Sequence, residues 1–149
     1  MDQQAHGPIH TLIIPIGGIP LLVPSAIIAE VVNVPELVPV PFSQQWVLGV
    51  VGWRQRAVPV ISFEALMGAG VTPPGLHSKV MIFFPLPGRT ESEFFGILTS
   101  SEPQPRTIDS AEGLVTEPPE SRYIATCLKF GDTLVGIPDM DALKATFYP

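Results

Sequence analysis

The sequence predicts a mostly β fold, made of short strands arranged as small barrels or a sandwich, with few and short helices. Pro 18 and Gly 13 make up about a fifth of the 149 residues, against a usual ~12%. The longest stretch free of both is the eleven residues Glu120–Phe130, and an interior Pro costs a helix roughly 3 kcal/mol, so coiled coils and helical bundles are excluded. Hydrophobic residues are 46% and charged residues 15%, which separates the chain from disordered sequences and gives one domain enough apolar material for a core.

The elements follow in order. Ile9–Ile16 is aliphatic and β-branched, and Ile19–Val23 repeats that character after Gly17-Gly18. A Gly-Gly pair between two apolar runs predicts a tight hairpin, because both positions tolerate positive φ. Pro24 ends the second strand, and Ser25 is placed to N-cap a short turn over Ala26–Ala29. Glu30–Val34 reads as a strand stopped by Pro35, and Glu36–Ser43, with Pro39 and Pro41, as extended loop. Gln44–Leu48 fits one helical turn. Gly49–Trp53 and Ala57–Ser62 read as strands joined by Arg54-Gln55-Arg56, and Phe63–Met67 as a helical turn ended by Gly68.

Ala69–Gly75 is a Gly/Pro linker, and a division of the chain into two β subdomains is expected near 69–77. Lys79–Leu86 and Glu93–Ser100 read as strands around a polar turn at Pro87–Glu91. Glu102–Ser121, polar and proline-rich, reads as the longest loop. Tyr123–Phe130 and Thr133–Ile137 form a hairpin about Gly131-Asp132, and Asp139 caps a final helix, Met140–Phe147. A weak echo links Gly18–Ser25 with Gly131–Asp139: each is a turn glycine, a strand, a proline and a capping residue. It fits two similar β subdomains. Residues 1–8 read as a flexible tail.

Thr11–Ala29 is nineteen uncharged residues, long enough to span a bilayer. Pro15, Gly17, Gly18, Pro20 and Pro24 would break such a helix repeatedly, and no Lys or Arg precedes Arg54 to flank a span or start a signal peptide. Buried strands are the better reading, and a cytoplasmic, not membrane-inserted protein is expected. The net charge is −6, which argues against a nucleic-acid partner. One cysteine, Cys127, cannot staple the fold and suits a reducing compartment.

The residues that carry chemistry are sparse. His6 and His10 lie four apart in a Gly/Pro-bearing segment and not on a helix, so no metal site is expected there, and His77 reads as solvated. There is no phosphate loop, no nucleophile elbow and no cysteine cluster. Cys127 sits mid-strand and reads as a buried structural thiol. Asp139 and Asp141 suit a helix start better than an acid–base pair. No cofactor, no metal and no enzymatic activity are expected. What stands out is Gly49-Val50-Val51-Gly52-Trp53-Arg54-Gln55-Arg56, an aromatic and two cations at a β-turn in a cation-poor half. Trp and Arg anchor many protein interfaces. Ordinary turn chemistry, with Trp53 facing the core, is an equal alternative.

Ala29-Glu30-Val31-Val32, Leu37-Val38-Pro39-Val40-Pro41, Trp46-Val47-Leu48-Gly49-Val50-Val51-Gly52-Trp53-Arg54-Gln55 and Ala57-Val58-Pro59-Val60-Ile61-Ser62-Phe63 together resemble the CheW family of chemosensory adaptors. That family runs a Glu-Ile/Val strand, a Pro-rich loop, Gly-Val-x-Asn-Leu-Arg-Gly and Val-x-Pro-Val-Ile-Asp-Leu in this order. Phe95-Gly96-Ile97-Leu98 and Gly131 to Leu143 resemble its later half, so the likeness spans nearly the whole chain. The family's Asn is Gly52 here, its Leu is Trp53, the Gly after Arg54 is Gln55, and the Asp closing the Pro-Val-Ile strand is Ser62. These departures suggest a divergent member, a type IV pilus (twitching) chemosensory system being one home for it.

The resemblance implies one CheW-like domain over 1–149, with two five-stranded SH3-like β-barrel subdomains packed around a shared hydrophobic core. It implies a non-catalytic adaptor coupling the cytoplasmic tip of methyl-accepting chemoreceptors to the regulatory domain of a CheA-type histidine kinase. Carried over by position, Arg54 with Gly49, Val50 and Val51 would face a receptor groove. Glu30, Val31 and Val32 would lie on the strand near the receptor and kinase contacts. Gly52 and Trp53 complete the expected site. Two alternatives remain at this point: a divergent regulator that binds receptor but not kinase, and a small-ligand-binding β-barrel.

Overall fold

The structure is a computed structural model that describes residues 8–41, 43–85, 93–109, 114–116 and 122–147. Among the described residues, eleven strands, β1 (Ile9–Ile14), β2 (Leu21–Pro24), β3 (Ile28–Asn33), β4 (Val47–Trp53), β5 (Arg56–Ile61), β6 (Lys79–Phe83), β7 (Phe95–Leu98), β8 (Gln104–Ile108), β9 (Leu114–Thr116), β10 (Ile124–Phe130) and β11 (Thr133–Pro138), form two sheets. One sheet is six-stranded in the order β8-β1-β2-β11-β10-β9, the other five-stranded in the order β3-β6-β7-β5-β4. The helices are short: α1 (Phe63–Leu66), α2 (Met140–Phe147) and a 3-10 turn at Ser25–Ile27. The mostly β fold around a shared core is the one the sequence predicts, but one sheet has six strands where five are expected, because β8 adds to the edge of β1.

Boundary differences have local causes. The first hairpin is wider than Gly17-Gly18 suggested, because Pro15 and Pro20 have no N–H to continue the ladder between Ile14 and Leu21. Only Gly18 of the pair has positive φ, at 96°. Ser25 does not cap: it lies inside the 3-10 turn, with Pro24 preceding it and no side-chain bond. The helical turn expected at Gln44–Leu48 shrinks to a reverse turn closed by Val47 N–H donating to Gln44 O at 3.0 Å, and β4 starts at Val47. At α1 the sequence reading holds, with Ser62 moved to the cap position, where its Oγ accepts from Ala65 N at 3.2 Å. Asp139 caps α2 as expected, Oδ1 accepting from Ala142 N at 3.1 Å.

The largest difference is in Glu102–Ser121, read as loop, which contributes β8 and β9. β8 pairs antiparallel with β1 along Ile9↔Ile108 to Ile13↔Gln104 and supplies the partner that edge lacks; Pro105 sits opposite Leu12. The turn expected at Pro87–Glu91, His6 and all but the last residue of the expected 1–8 tail lie outside the described residues.

The chain path also differs from the one expected. β3 to β7 are inserted between β2 and β8, so the chain changes sheet around 25–27 and again after Leu98. The Gly/Pro stretch 69–77 joins α1 to β6 on the five-stranded side and does not separate the two sheets. The two echoing segments turn out to be neighbours: β2 and β11 pair in parallel, Leu21 opposite Gly136, in one sheet.

Three apolar clusters explain the packing. The largest is shared: Ile14, Leu21, Val23 and Cys127 from the six-stranded sheet meet Ile61, Met81, Phe83 and Ile97 from the five-stranded one. Phe83 and Phe95 stack there at 4.9 Å, nearly parallel. Each sheet also curls over an interior of its own, around Val51, Val60 and Ile82 in one and around Leu22, Ile108 and Val135 in the other. Neighbouring residues on a strand feed different clusters, as period-2 side chains must. Leu21 and Val23 enter the shared core while Leu22 faces the opposite interior.

Candidate functional site

The β4–β5 hairpin sorts the expected site residues by alternation. Gly49, Val51 and Trp53 point inward and are buried; Val50, Gly52 and Arg54 point outward. Val51 is 1% exposed and belongs to the barrel interior with Val58 and Val60, so it offers no face to a partner. Val50 is outward, but its main chain is taken: its N–H donates to Val38 O at 2.8 Å, and its carbonyl accepts from Val38 N at 2.9 Å. The Pro-rich segment 35–41 thus crosses the free edge of β4. Gly49 is required at this crossing, since its φ is 148° and a Cβ would fall 2.7 Å from Val38 O. The groove expected at Gly49, Val50 and Val51 is therefore occupied on its edge by the chain's own segment.

Arg54 and Gln55 form the tip, both with positive φ, 46° and 62°. That two-residue geometry matches the right-handed strand twist and normally recruits Gly or Asn. The Arg54 side chain is 66% exposed. One of its guanidinium nitrogens donates to Glu30 Oε1 at 3.1 Å. Trp53 Nε1–H donates to the same oxygen at 3.0 Å. The Arg54 guanidinium also lies 4.7 Å from the Trp53 ring centroid. Glu30, on edge strand β3, and Trp53, on the opposite edge strand β4, belong to the two ends of the five-stranded sheet. Their bond helps close that sheet into a barrel and fixes the direction of the Arg54 stem. The exposed ion pair itself contributes less than about 1 kcal/mol.

Trp53, balanced between two readings in the sequence, faces the core: it is 8% exposed and packs with Val58, Val80 and Leu98. Val31 and Val32 are half-buried on β3; Val31 packs toward the shared core and Val32 toward the barrel interior. Glu30, Trp53 and Arg54 are thus brought into one contact set, while Val31, Val32 and Val51 are packing residues. Three neighbours join this set, of which only Arg56 stands in the segment that the sequence singles out. Phe94 lies 5.1 Å from the Trp53 ring, the Arg56 guanidinium lies 4.8 Å from the Phe94 ring, and Phe84, 45% exposed, lies 6.1 Å from it. No motif marks Phe84 and Phe94; only the register of β6 with β7 places them beside the turn.

Elsewhere the chemistry is structural. Cys127 is 1% exposed, and burial pushes its thiol pKa up. Tyr123 is raised by burial but brought below its ordinary value overall by bonds from Thr146 and Arg122 and by the Arg122 charge. His77 is exposed, and His10 Nδ1 lies 3.3 Å from Thr107 Oγ1. Among the described residues no group of three His, Cys, Asp or Glu is placed to hold a metal ion, and no helix is long and apolar enough to cross a membrane.

The family model for the CheW-like domain matches residues 10–146. No curated protein matches the chain. Among solved structures, it is similar to the scaffolding protein TtCheW from Thermoanaerobacter tengcongensis, with a TM-score of 0.74 and 16% identity over 94% of this chain and 90% of that one. At that identity the likeness speaks to the fold.

Proposed function

The chain belongs to the CheW-like domain family, and from that premise we propose that it is a non-catalytic chemosensory adaptor coupling chemoreceptors to a CheA-type histidine kinase in the cytoplasm. The observation that carries the reading furthest is the exposed Arg54 guanidinium on a rigid hairpin, braced by Glu30 and Trp53. A guanidinium has five N–H donors in a planar fork and suits a carboxylate or the free carbonyls at a helix end. Such groups are presented by a helical hairpin of the kind found at a receptor tip. A second barrel joined through a shared core offers a second face for a kinase regulatory domain. An adaptor with two such faces transmits a receptor's state by differential contacts and needs no chemistry of its own. The departures at Gly52 and Trp53 favour partners other than those of a flagellar adaptor, and a type IV pilus system is the one we put forward.

The test is a pull-down against the receptor tip and the kinase regulatory domain, each alone, with wild type and Arg54→Ala. The adaptor reading expects wild type to bind both, and Arg54→Ala to lose receptor binding by about tenfold, a loss of one charge-assisted contact, with an unchanged melting temperature. Receptor binding without kinase binding would make the chain a dedicated receptor regulator. Unaltered binding by the variant would remove Arg54 from the site.

A further inference from the structure

Between the six-stranded sheet and α1 lies a pocket of about 170 Å³ that the adaptor reading does not use. Its floor is Ile16, Ile124 and Cys127, each at most 7% exposed, and its mouth includes Gly17 and Ala69, both exposed. Glu64 stands in its wall and is 5% exposed. One carboxylate oxygen accepts from Gly17 N–H, and the other accepts from Ser62 Oγ at 2.7 Å. Gly17 leaves room for the first bond: a Cβ there would sit 3.1 Å from Glu64 Oε2, and the carboxylate would have to give by a few tenths of an ångström. Both donors are neutral, and no Lys, Arg or His among the described residues pairs with Glu64.

A buried carboxylate without a counter-charge is costly, and each of its oxygens keeps a second acceptor site. Size limits what could supply that charge. A dry cavity of ~150 Å³ holds one benzene ring, whereas drug-sized ligands and nucleotides need ~300 Å³ or more. The floor is apolar and its Cys127 thiol is not ionised at neutral pH, since burial raises its pKa. We infer that this pocket binds a small apolar primary amine, its hydrocarbon body on the Ile16–Ile124–Cys127 floor and its ammonium beside Glu64.

The experiment is an amide-shift titration of the full chain at neutral pH with benzylamine, benzyl alcohol and benzoate, which share a ring and differ in charge. Benzylamine shifts the Gly17, Ile124 and Cys127 amides and binds at least about tenfold more tightly than benzyl alcohol, the scale of one charge-assisted hydrogen bond; benzoate does not bind. Glu64→Gln, which keeps an acceptor for Gly17 and a partner for Ser62, brings benzylamine down to the level of the alcohol. Ala69→Trp, at the exposed mouth, abolishes binding of both. Should Glu64→Gln not fold, the wild-type ranking and Ala69→Trp decide alone. Silence of these amides toward benzylamine overturns the proposal, including the case in which the pocket receives a protein partner's side chain instead. So does equal binding of the three compounds, or an amine preference that survives Glu64→Gln. None of these results depends on receptor or kinase binding.

Discussion

The interior of the five-stranded sheet holds Val51, Trp53, Val58, Val60, Val80, Ile82 and Leu98, all at most 8% exposed, whereas the six-stranded sheet's interior holds only Leu22, Ile108 and Val135 below 10% among the described residues. Around those three, Ile13, Leu128, Phe130 and Ile137 are only partly buried. The difference is one of allocation. β4, β5 and β6 each give two alternate residues to their own barrel. β1 and β2 send Ile14, Leu21 and Val23 to the shared core instead; their apolar contributions to their own interior are Ile13 and Leu22, with the buried hydroxyl residue Thr11 on the face of Ile13. The five-stranded barrel is filled on its own account and displays the Arg54 hairpin; the six-stranded one depends on the seam. Stability should therefore be lost most at the seam, next in the filled barrel, and least in the thin one.

The largest effect is expected at the seam. Phe83→Ala removes a fully buried ring stacked on Phe95 and should cost about 4 kcal/mol. Because the shared core joins both sheets, the chain should still unfold as one unit. Trp fluorescence, from Trp46 and Trp53, and the far-ultraviolet sheet signal should give coincident urea transitions; two separated transitions would mean that the barrels fold independently. Between the interiors, Ile82→Ala, at 0% exposure, should cost about 3 kcal/mol, and Ile108→Ala, at 9% beside partly exposed neighbours, roughly half of that. Equal shifts in urea midpoint would erase the distinction between the barrels.

Alternation makes the filled barrel legible in the sequence: Val51/Trp53, Val58/Val60 and Val80/Ile82 are period-2 pairs in runs bounded by turn residues. The six-stranded sheet is harder to read. β8 carries Pro105 and Arg106 and has burial of a mixed kind, so its identity as a strand comes from the waiting edge of β1, a partner far away in sequence. The parallel pairing of β2 with β11 has the same cause, and it turns an apparent duplication into two neighbouring strands. At the candidate site, the turn after Trp53 is readable from Gly, Trp and Arg, but the connection Arg54-Gln55-Arg56 read from the sequence shortens to two residues, because Arg56 already pairs with Trp53 in β5. That Glu30 closes the barrel through Trp53 is not readable, because nothing local links one edge strand to the other. The buried Glu64 is also unreadable: it looks like any polar residue in the first turn of a short helix, and its partner, the Gly17 N–H, comes from the opposite sheet's first hairpin, far away in sequence.

Trp53→Phe sharpens the comparison at the hairpin. It keeps most of the ring's burial and deletes the Nε1–H bond to Glu30, which should cost about 1 kcal/mol. If the bond orders the site as well as closing the barrel, Glu30→Ala, which removes the acceptor, should cost less in this background than in wild type, because the two changes remove a shared contact. Full additivity would show that Glu30 and Trp53 act separately.

A smaller effect, confined to alkaline solution, belongs to the seam. Burial raises the Cys127 pKa above that of an unfolded thiol, so the folded chain holds this proton more tightly. Its contribution is therefore intact below the ordinary thiol pKa of ~8.5 and declines as pH rises beyond it. Cys127→Val should remove that decline, its stability falling less than wild type between neutral pH and about pH 10, where other titrations are common to both. Parallel pH profiles would mean that the thiol titrates alike in both states.

The smallest effect tests whether the hairpin of the filled barrel is strained at its tip. Gln55 holds φ of 62°, a left-handed conformation that costs a side-chain-bearing residue about 1 kcal/mol or more. Glycine there would relieve the strain, but it would also widen the unfolded ensemble, at a cost of about 0.5 kcal/mol. The balance favours Gln55→Gly by about 0.5 kcal/mol, seen as a higher urea midpoint at unchanged slope. The side chain is exposed, so little packing is lost to offset the gain. Gly52→Asn is the internal control: a Cβ at Gly52 meets nothing within 4 Å, and its φ is not positive, so it should leave stability within about 0.5 kcal/mol of wild type. If Gln55→Gly is neutral or destabilising while Gly52→Asn behaves as expected, the tip is relaxed, and the glutamine at this turn carries no backbone strain for a partner to exploit.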